Sequence, residues 1–145
     1  MKDSGRGWQR DRNMPVSIDI KTKSQIEFID ITSNIQQAVD RSGIKEGVCY
    51  VYVPHTTAAV TINENADPDV IRDIITRLNE IVPLDGNYRH AEGNSAAHIK
   101  ASIVGSSETI FIEAGRRVLG TWQSIFFCEF DGPRSRRAMV KIVSG

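Results

Sequence analysis

GVCYVYVPHTTAAVTI, residues 47–62, contains two runs that are rich in β-branched and aromatic residues, separated by a polar corner. The first run, residues 47–54, is apolar on both faces, which is typical of a central strand. Residues 58–62 continue as a second strand. The corner His55-Thr56-Thr57 therefore places an imidazole and two hydroxyl groups at the edge of a sheet.

Further elements are predicted on both sides of this pair. Strands are expected at residues 16–20, 26–31, 109–113, 121–130 and 136–143, and helices are expected to begin at Ser33, at Asp67-Pro68 and at Ser95. Ser33 and Gln36 have the spacing of a capping box. Since the strands and helices do not alternate strictly, the pattern favours an α+β fold in one compact domain over residues 14–145. Residues 1–13 are polar and lack periodicity, so we expect a disordered tail or an extension.

The bulk composition sets limits on the class of protein. The 145 residues correspond to one domain, and 18 basic residues balance 18 acidic residues, so the charge gives no sign of a nucleic-acid or anionic-membrane partner. No apolar run approaches the ~18–20 residues of a membrane span, and the N-terminus lacks the apolar core of a secretory signal. We therefore expect a cytoplasmic protein in which Cys49 and Cys128 are buried free thiols.

The three histidines lie at element ends or in the long loop of residues 83–93. His90 and His98 frame a Gly/Asn/Ser-rich passage that also contains Glu92, and two imidazoles with a carboxylate suit Zn²⁺ or a similar divalent ion. Ordinary hydrogen-bonded or surface histidines are the alternative. His55 at the polar corner, followed by Glu64, is a second candidate for chemistry.

Charged and amide side chains near the C-terminus form a further candidate site. Arg134 and Arg136 follow a Gly-Pro turn, where guanidinium groups suit phosphate or carboxylate binding; a solvated turn is the alternative. Gln123 and Glu129 share one face of a strand whose faces are otherwise apolar, so we expect both to be partly buried and to need partners.

Three segments together resemble one known family. They are PHTTAAVTINENADPDV, DGNYRHAEGNSAAHIKASIVG and LGTWQSIFFCEFDGPRSRR, and they resemble the YjbQ family, also called the secondary thiamine-phosphate synthase family. The resemblance runs from about Val16 to the C-terminus. It implies a compact domain with about three helices and a mixed, barrel-like sheet, assembled as a homotrimer with a polar cavity near the subunit interfaces.

The resemblance also implies a function and the residues that serve it. The expected activity is that of a transferase like thiamine-phosphate synthase, which joins a pyrimidine methyl diphosphate to a thiazole phosphate and which can be a secondary activity. The predicted catalytic residues are His55, Glu64 and Glu129; the predicted phosphate-binding residues are Thr56, Asn94, Gln123, Arg134 and Arg136; and the predicted ligands of a divalent metal, Zn²⁺ or Mg²⁺, are His90, His98 and Glu92. The alternative is a trimeric protein that binds a metal or a small phosphorylated ligand without catalysis.

Overall fold

The computed structural model describes residues 14–145, so the tail expected at residues 1–13 lies outside the described part of the chain. The strands are β1 (Val16–Lys21), β2 (Glu27–Asp30), β3 (Gly47–Tyr52), β4 (Ala58–Glu64), β5 (Ser107–Glu113), β6 (Arg116–Arg117), β7 (Gln123–Glu129) and β8 (Ser135–Ser144), and the helices are α1 (Thr32–Ser42), α2 (Pro68–Ile81) and α3 (Ser95–Val104). The α+β class and the three helices are confirmed. No helix within residues 14–145 combines the length and the apolar character needed to cross a membrane.

The strands form two sheets that curl into a half-barrel. The larger sheet has the order β1-β8-β3-β5-β6, and the smaller has the order β2-β7-β4. The prediction of a central strand at residues 47–54 is confirmed, since β3 lies in the middle of the larger sheet. The prediction of a mixed sheet is wrong for the described residues, where every strand pair is antiparallel. Strand direction depends on distant partners, such as β1 with β8, which local periodicity does not reveal.

Two hydrophobic clusters hold these layers together. The main core joins side chains from both sheets with the inner face of α1, including Ile35, Val51 and Phe127, which are fully buried. The second cluster packs Ala97 and Ala101 of α3, together with Ile71 and Leu78 of α2, against Phe126 of the smaller sheet. Burying a large apolar side chain contributes about 1.5–3 kcal/mol, so these clusters supply the main driving force for the fold.

Both cysteines are free and buried, as predicted. Burial raises the pKa of the Cys49 thiol to about 11, and it raises the pKa of Cys128 as well. Because the reactive form of cysteine is the thiolate, both side chains serve as packing groups in the core.

The polar corner, His55-Thr56-Thr57, and the segment just before it are anchored between the end of α3 and the end of β7. The backbone N–H of Val53 donates to the carbonyl of Ser106 at 2.8 Å, and the N–H of Phe130 donates to the carbonyl of Thr57 at 3.2 Å. These bonds place His55 beside α3 on one side and beside the β7–β8 connection on the other. The fold thereby assembles the predicted site residues from segments that are distant in sequence.

Candidate functional site

A buried ion pair lies beneath the polar corner. The Nε and Nη2 atoms of Arg136 donate to the two carboxylate oxygens of Glu129 at 2.6–3.1 Å, and Glu129 is fully buried. Arg136 Nη2 also donates to Thr57 Oγ1 at 2.7 Å, and Thr22 Oγ1 donates to Glu129 Oε1 at 2.8 Å. The bidentate geometry and the two threonines satisfy charges that would otherwise be costly to bury. The pair therefore fixes the position of Thr57 and of the corner.

His55 lies above this pair with one ring nitrogen engaged. Its Nε2 accepts the backbone N–H of Arg137 at 3.0 Å. Burial, followed by the positive charge of Arg136, lowers the pKa of His55 below its usual value of 6.5. Since Nε2 acts as the acceptor, the neutral ring carries its proton on Nδ1. His55 thus offers a hydrogen-bond donor, not a lone pair, at its other nitrogen.

The first cavity, which we call the His55 cavity, lies between the corner and α3. It has a volume of about 350 Å³. Its polar lining comes from His55, Thr56, His98, Ser102 and Ser106. Hydroxyl and imidazole donors in this arrangement suit the oxygens of a phosphate or another small oxyanion.

A second cavity, the Tyr88 cavity, lies on the other side of His98. It has a volume of about 480 Å³ and is lined by Asn87, Tyr88, Arg89, His90, Ser95, His98 and Ile99. Most of these residues come from the connection between α2 and α3. The two helices are linked by a hydrogen bond in which Lys100 Nζ donates to Asn79 Oδ1 at 2.5 Å. Because His98 lines both cavities, the two are immediate neighbours.

The predicted metal ligands lie close together but do not form a complete set. The rings of His90 and His98 meet edge to face with centroids 5.5 Å apart, and His90 Nε2 lies 3.7 Å from Glu92 Oε2. Among residues 14–145, no group of three or more His, Cys, Asp or Glu side chains is arranged to hold a metal ion. The donor set of one chain therefore does not fit a structural metal site, and the metal stays a prediction.

Arg134 and Asn94 both bind Asp131. Arg134 donates from Nε to the Asp131 carbonyl at 2.7 Å and from Nη2 to Asp131 Oδ2 at 2.8 Å, while about half of its side chain remains exposed. Asn94 Nδ2 donates to the same Asp131 Oδ2 at 3.0 Å. Within the described residues the buried Asn94 Oδ1 has no hydrogen-bond partner. Asn94 thus ties the start of α3 to the β7–β8 connection and leaves one acceptor free.

Glu64 and Gln123 lie away from the other predicted site residues. They face each other across β4 and β7, at the end of β4 opposite the polar corner. Six residue steps separate Ala58 from Glu64, which corresponds to about 20 Å along the strand. The expected partial burial of Gln123 is wrong, since its side chain is exposed and accepts the N–H of Gly120 at 2.8 Å. This end of β7 extends beyond the core, so the apolar pattern of its middle does not apply.

The structure therefore unites most of the predicted residues in one region. His55, Thr56 and His98 share the His55 cavity, His90 joins His98 in the Tyr88 cavity, and Glu129 and Arg136 support the corner from the interior. The sequence reasoning did not identify the contributions of Tyr88, Arg89, Ser102 and Ser106. Tyr88 and Arg89 directly precede His90 in a long loop without periodicity. Their position in this loop was the one signal in the sequence that could have identified them.

Comparison with known proteins gives the family of this chain. The family model described as UPF0047 protein YjbQ-like matches residues 16–145. The chain belongs to this YjbQ-like family. A UPF0047 protein of Methanocaldococcus jannaschii is 56% identical over 124 residues, covering 86% of this chain and 90% of its own length. The protein YugU of Bacillus subtilis is 49% identical over 128 residues, covering 88% and 97%.

Solved structures extend the family relationship to the fold. A YjbQ/UPF0047 family protein of Clostridium acetobutylicum is 55% identical, with a TM-score of 0.87 over 88% of this chain and 99% of that protein. A YjbQ-like protein of Sulfolobus solfataricus has the same TM-score of 0.87 at 36% identity, covering 91% and 97%. The YjbQ-like fold of this chain is thus shared with experimentally determined structures.

Proposed function

We propose that this YjbQ-like protein is a transferase like thiamine-phosphate synthase, which joins a pyrimidine methyl diphosphate to a thiazole phosphate. The observation that carries the proposal is the pair of cavities that share His98. A condensation requires two ligands held side by side in reactive orientation, and this positioning supplies much of the rate. Volumes of about 350 and 480 Å³ are suited to two small molecules.

The chemistry requires stabilisation of a leaving diphosphate. The bond between the pyrimidine methylene carbon and the diphosphate oxygen breaks with its electron pair on the oxygen, and the thiazole nitrogen lone pair forms the new C–N bond. The Nδ1–H of His55 and the hydroxyl groups of Thr56 and Ser106 are the donors for the growing negative charge, whereas the Ser102 hydroxyl donates to the carbonyl of His98 at 3.0 Å.

The remaining predicted residues have supporting roles in this proposal. Glu129 and Arg136 position the corner from the interior, because both side chains are buried and paired with each other. Arg134 is paired with Asp131 but keeps about half of its side chain exposed, so part of it is open to a phosphate group. A direct role for Glu64 and Gln123 requires a second copy of the chain, since both lie about 20 Å along β4 from the corner.

The proposal includes a homotrimer. Phe111, Tyr50, Tyr52 and Val143 lie on the outer face of the larger sheet and are 41–64% exposed. The strand register places Phe111 and Val143 on opposite sides of Val48, so these side chains form one continuous surface. An apolar patch of this kind is unusual on a monomer and is typical of a subunit interface.

The test is a turnover assay on the purified protein with both substrates, in which thiamine phosphate is measured by chromatography. His98→Asn should lower kcat/KM by at least about tenfold, because a hydrogen bond to a charged group contributes roughly 1.5–3 kcal/mol. His90 lines only the Tyr88 cavity, so His90→Asn should raise the KM of one substrate only. Arg72→Gln on the exposed face of α2 is the control.

Two outcomes would contradict the transferase proposal. A parent protein that binds both substrates but forms no product would be a binding protein, the alternative that the burial of Glu129 favours. Equal losses of activity in His98→Asn and Arg72→Gln would show that the shared histidine has no special role.

A further inference from the structure

We infer that the Tyr88 cavity is a subsite for a planar aromatic ring that carries a phosphoryl group, with Tyr88 stacking on the ring and Arg89 pairing with the charge. The inference rests on the proposed function, because it states which of the two cavities takes the aromatic part of a substrate. It names two residues that the site prediction did not contain.

The ring of Tyr88 is held in place before any ligand binds. Its hydroxyl donates to the carbonyl of Pro83 at 2.5 Å, and its backbone N–H donates to the carbonyl of Gly86 at 3.0 Å. A Cβ atom at Gly86 would lie only 2.5 Å from Tyr88 Cζ, so the ring rests directly on the glycine backbone. Because the ring is already fixed, little side-chain entropy is lost when a ligand stacks on it.

The other walls of the Tyr88 cavity fit a flat, apolar group. Ile99 on α3 is 39% exposed and supplies an aliphatic surface beside Tyr88. His90 and His98 meet edge to face at the same cavity and add two more rings. Aromatic side chains prefer offset-stacked or edge-to-face partners, so a planar ring finds favourable contacts on more than one side.

The charge at this cavity favours an anionic substituent. Arg89 is exposed, and among residues 14–145 no carboxylate lies within 4.0 Å of its guanidinium. Glu92 is the nearby acid, but its contact is with His90 and its side chain is 73% exposed. A guanidinium group without a carboxylate partner is well suited to a phosphate. The lining of the His55 cavity, by contrast, contains no arginine.

Calorimetric titration tests the subsite with three probes: hydroxymethylpyrimidine, its monophosphate and inorganic phosphate. Tyr88→Leu should weaken both pyrimidines about five- to tenfold, whereas Tyr88→Phe keeps the ring and should bind within about twofold of the parent. Arg89→Gln should weaken the monophosphate about tenfold and leave the unphosphorylated ring unchanged. Arg77→Gln, an exposed arginine of α2, is the matched control.

The inference is overturned if the parent binds neither pyrimidine at millimolar concentration, or if Tyr88→Leu binds both like the parent. Unfolding of Tyr88→Leu is detected by circular dichroism, and Gly86→Ala then replaces it, because the added methyl group displaces the ring without removing it. If the parent turns over but Tyr88→Leu binds the ring as the parent does, the subsite alone is refuted. Tyr88-dependent binding without turnover would refute the transferase and leave the subsite standing.

Discussion

The carboxylate of Glu129 and the guanidinium of Arg136 form a buried ion pair. Removing either partner of such a pair lowers the free energy of unfolding by about 3–5 kcal/mol. An apolar pair of similar volume would stabilise the fold as well, so the ion pair is better explained by its hold on Thr57. The sequence predicted that Glu129 needs a partner, because it lies on an apolar strand. It did not predict Arg136 as that partner, since β7 and β8 belong to different sheets.

His55 provides a test at the same scale. Because the pKa of His55 in the folded protein is below 6.5, the folded chain binds fewer protons than the unfolded chain just below pH 6.5. The contribution of His55 to stability is therefore complete above pH 6.5 and is lost as the pH falls through the folded pKa. His55→Gln should flatten this part of the pH profile, measured as urea midpoints between pH 5 and 7.5. An imidazole NMR signal of His55 that titrates at or above 6.5 would contradict the prediction.

Local sequence signals predicted the starts of α2 and α3 correctly but not the start of α1. The start of α2 is confirmed, since the Asp67 side chain accepts the N–H of Asp69 at 2.9 Å, and α3 spans the predicted residues 95–104. The capping box at Ser33 is wrong, because α1 begins at Thr32 and Asp30 Oδ1 accepts the N–H of Thr32 instead. Gln36 binds Arg117 and the carbonyl of Gly115, so a tertiary contact replaces the local one.

The β7–β8 turn is a sensitive element, because it carries the residues on both sides of the ion pair. A Cβ atom at Gly132 would lie 2.3 Å from the carbonyl oxygen of Ser24 and 2.9 Å from Thr22 Oγ1. Gly132→Ala should therefore lower the free energy of unfolding by about 1–3 kcal/mol, measured by urea denaturation. Gly120→Ala is the matched control, since its nearest contact is the flexible side chain of Gln123 at 3.3 Å. Equal stability of the two variants would show that the turn adapts.

At the scale of the whole molecule, the sequence predicted the α+β class but not the arrangement of the sheets. Hydrophobic periodicity identifies a strand and its buried face, whereas the antiparallel pairing of β1 with β8 depends on residues more than 100 positions apart. Glu64 is a different case, because an extended strand holds the two ends of β4 about 20 Å apart, and the family resemblance nevertheless placed Glu64 and His55 in one site. Local patterns had already selected His55, His90, His98 and Arg134 as candidates, and the family resemblance assigned roles to them.

We expect the homotrimer to assemble through the outer face of the larger sheet. Phe111 is 64% exposed and lies beside Val48 in the strand register, so an aspartate at 111 would place a charge in the middle of the apolar surface. We expect the parent to sediment as a trimer at micromolar concentration and Phe111→Asp to sediment as a folded monomer, because burying an unpaired carboxylate in an interface is costly. Ile81→Asp changes a residue that is 70% exposed at the end of α2 and should leave the trimer intact.

A monomeric parent would refute the trimer. A trimeric Phe111→Asp variant would instead refute this face as its interface, and a second surface would then have to bring Glu64 and Gln123 of one copy to the cavities of another.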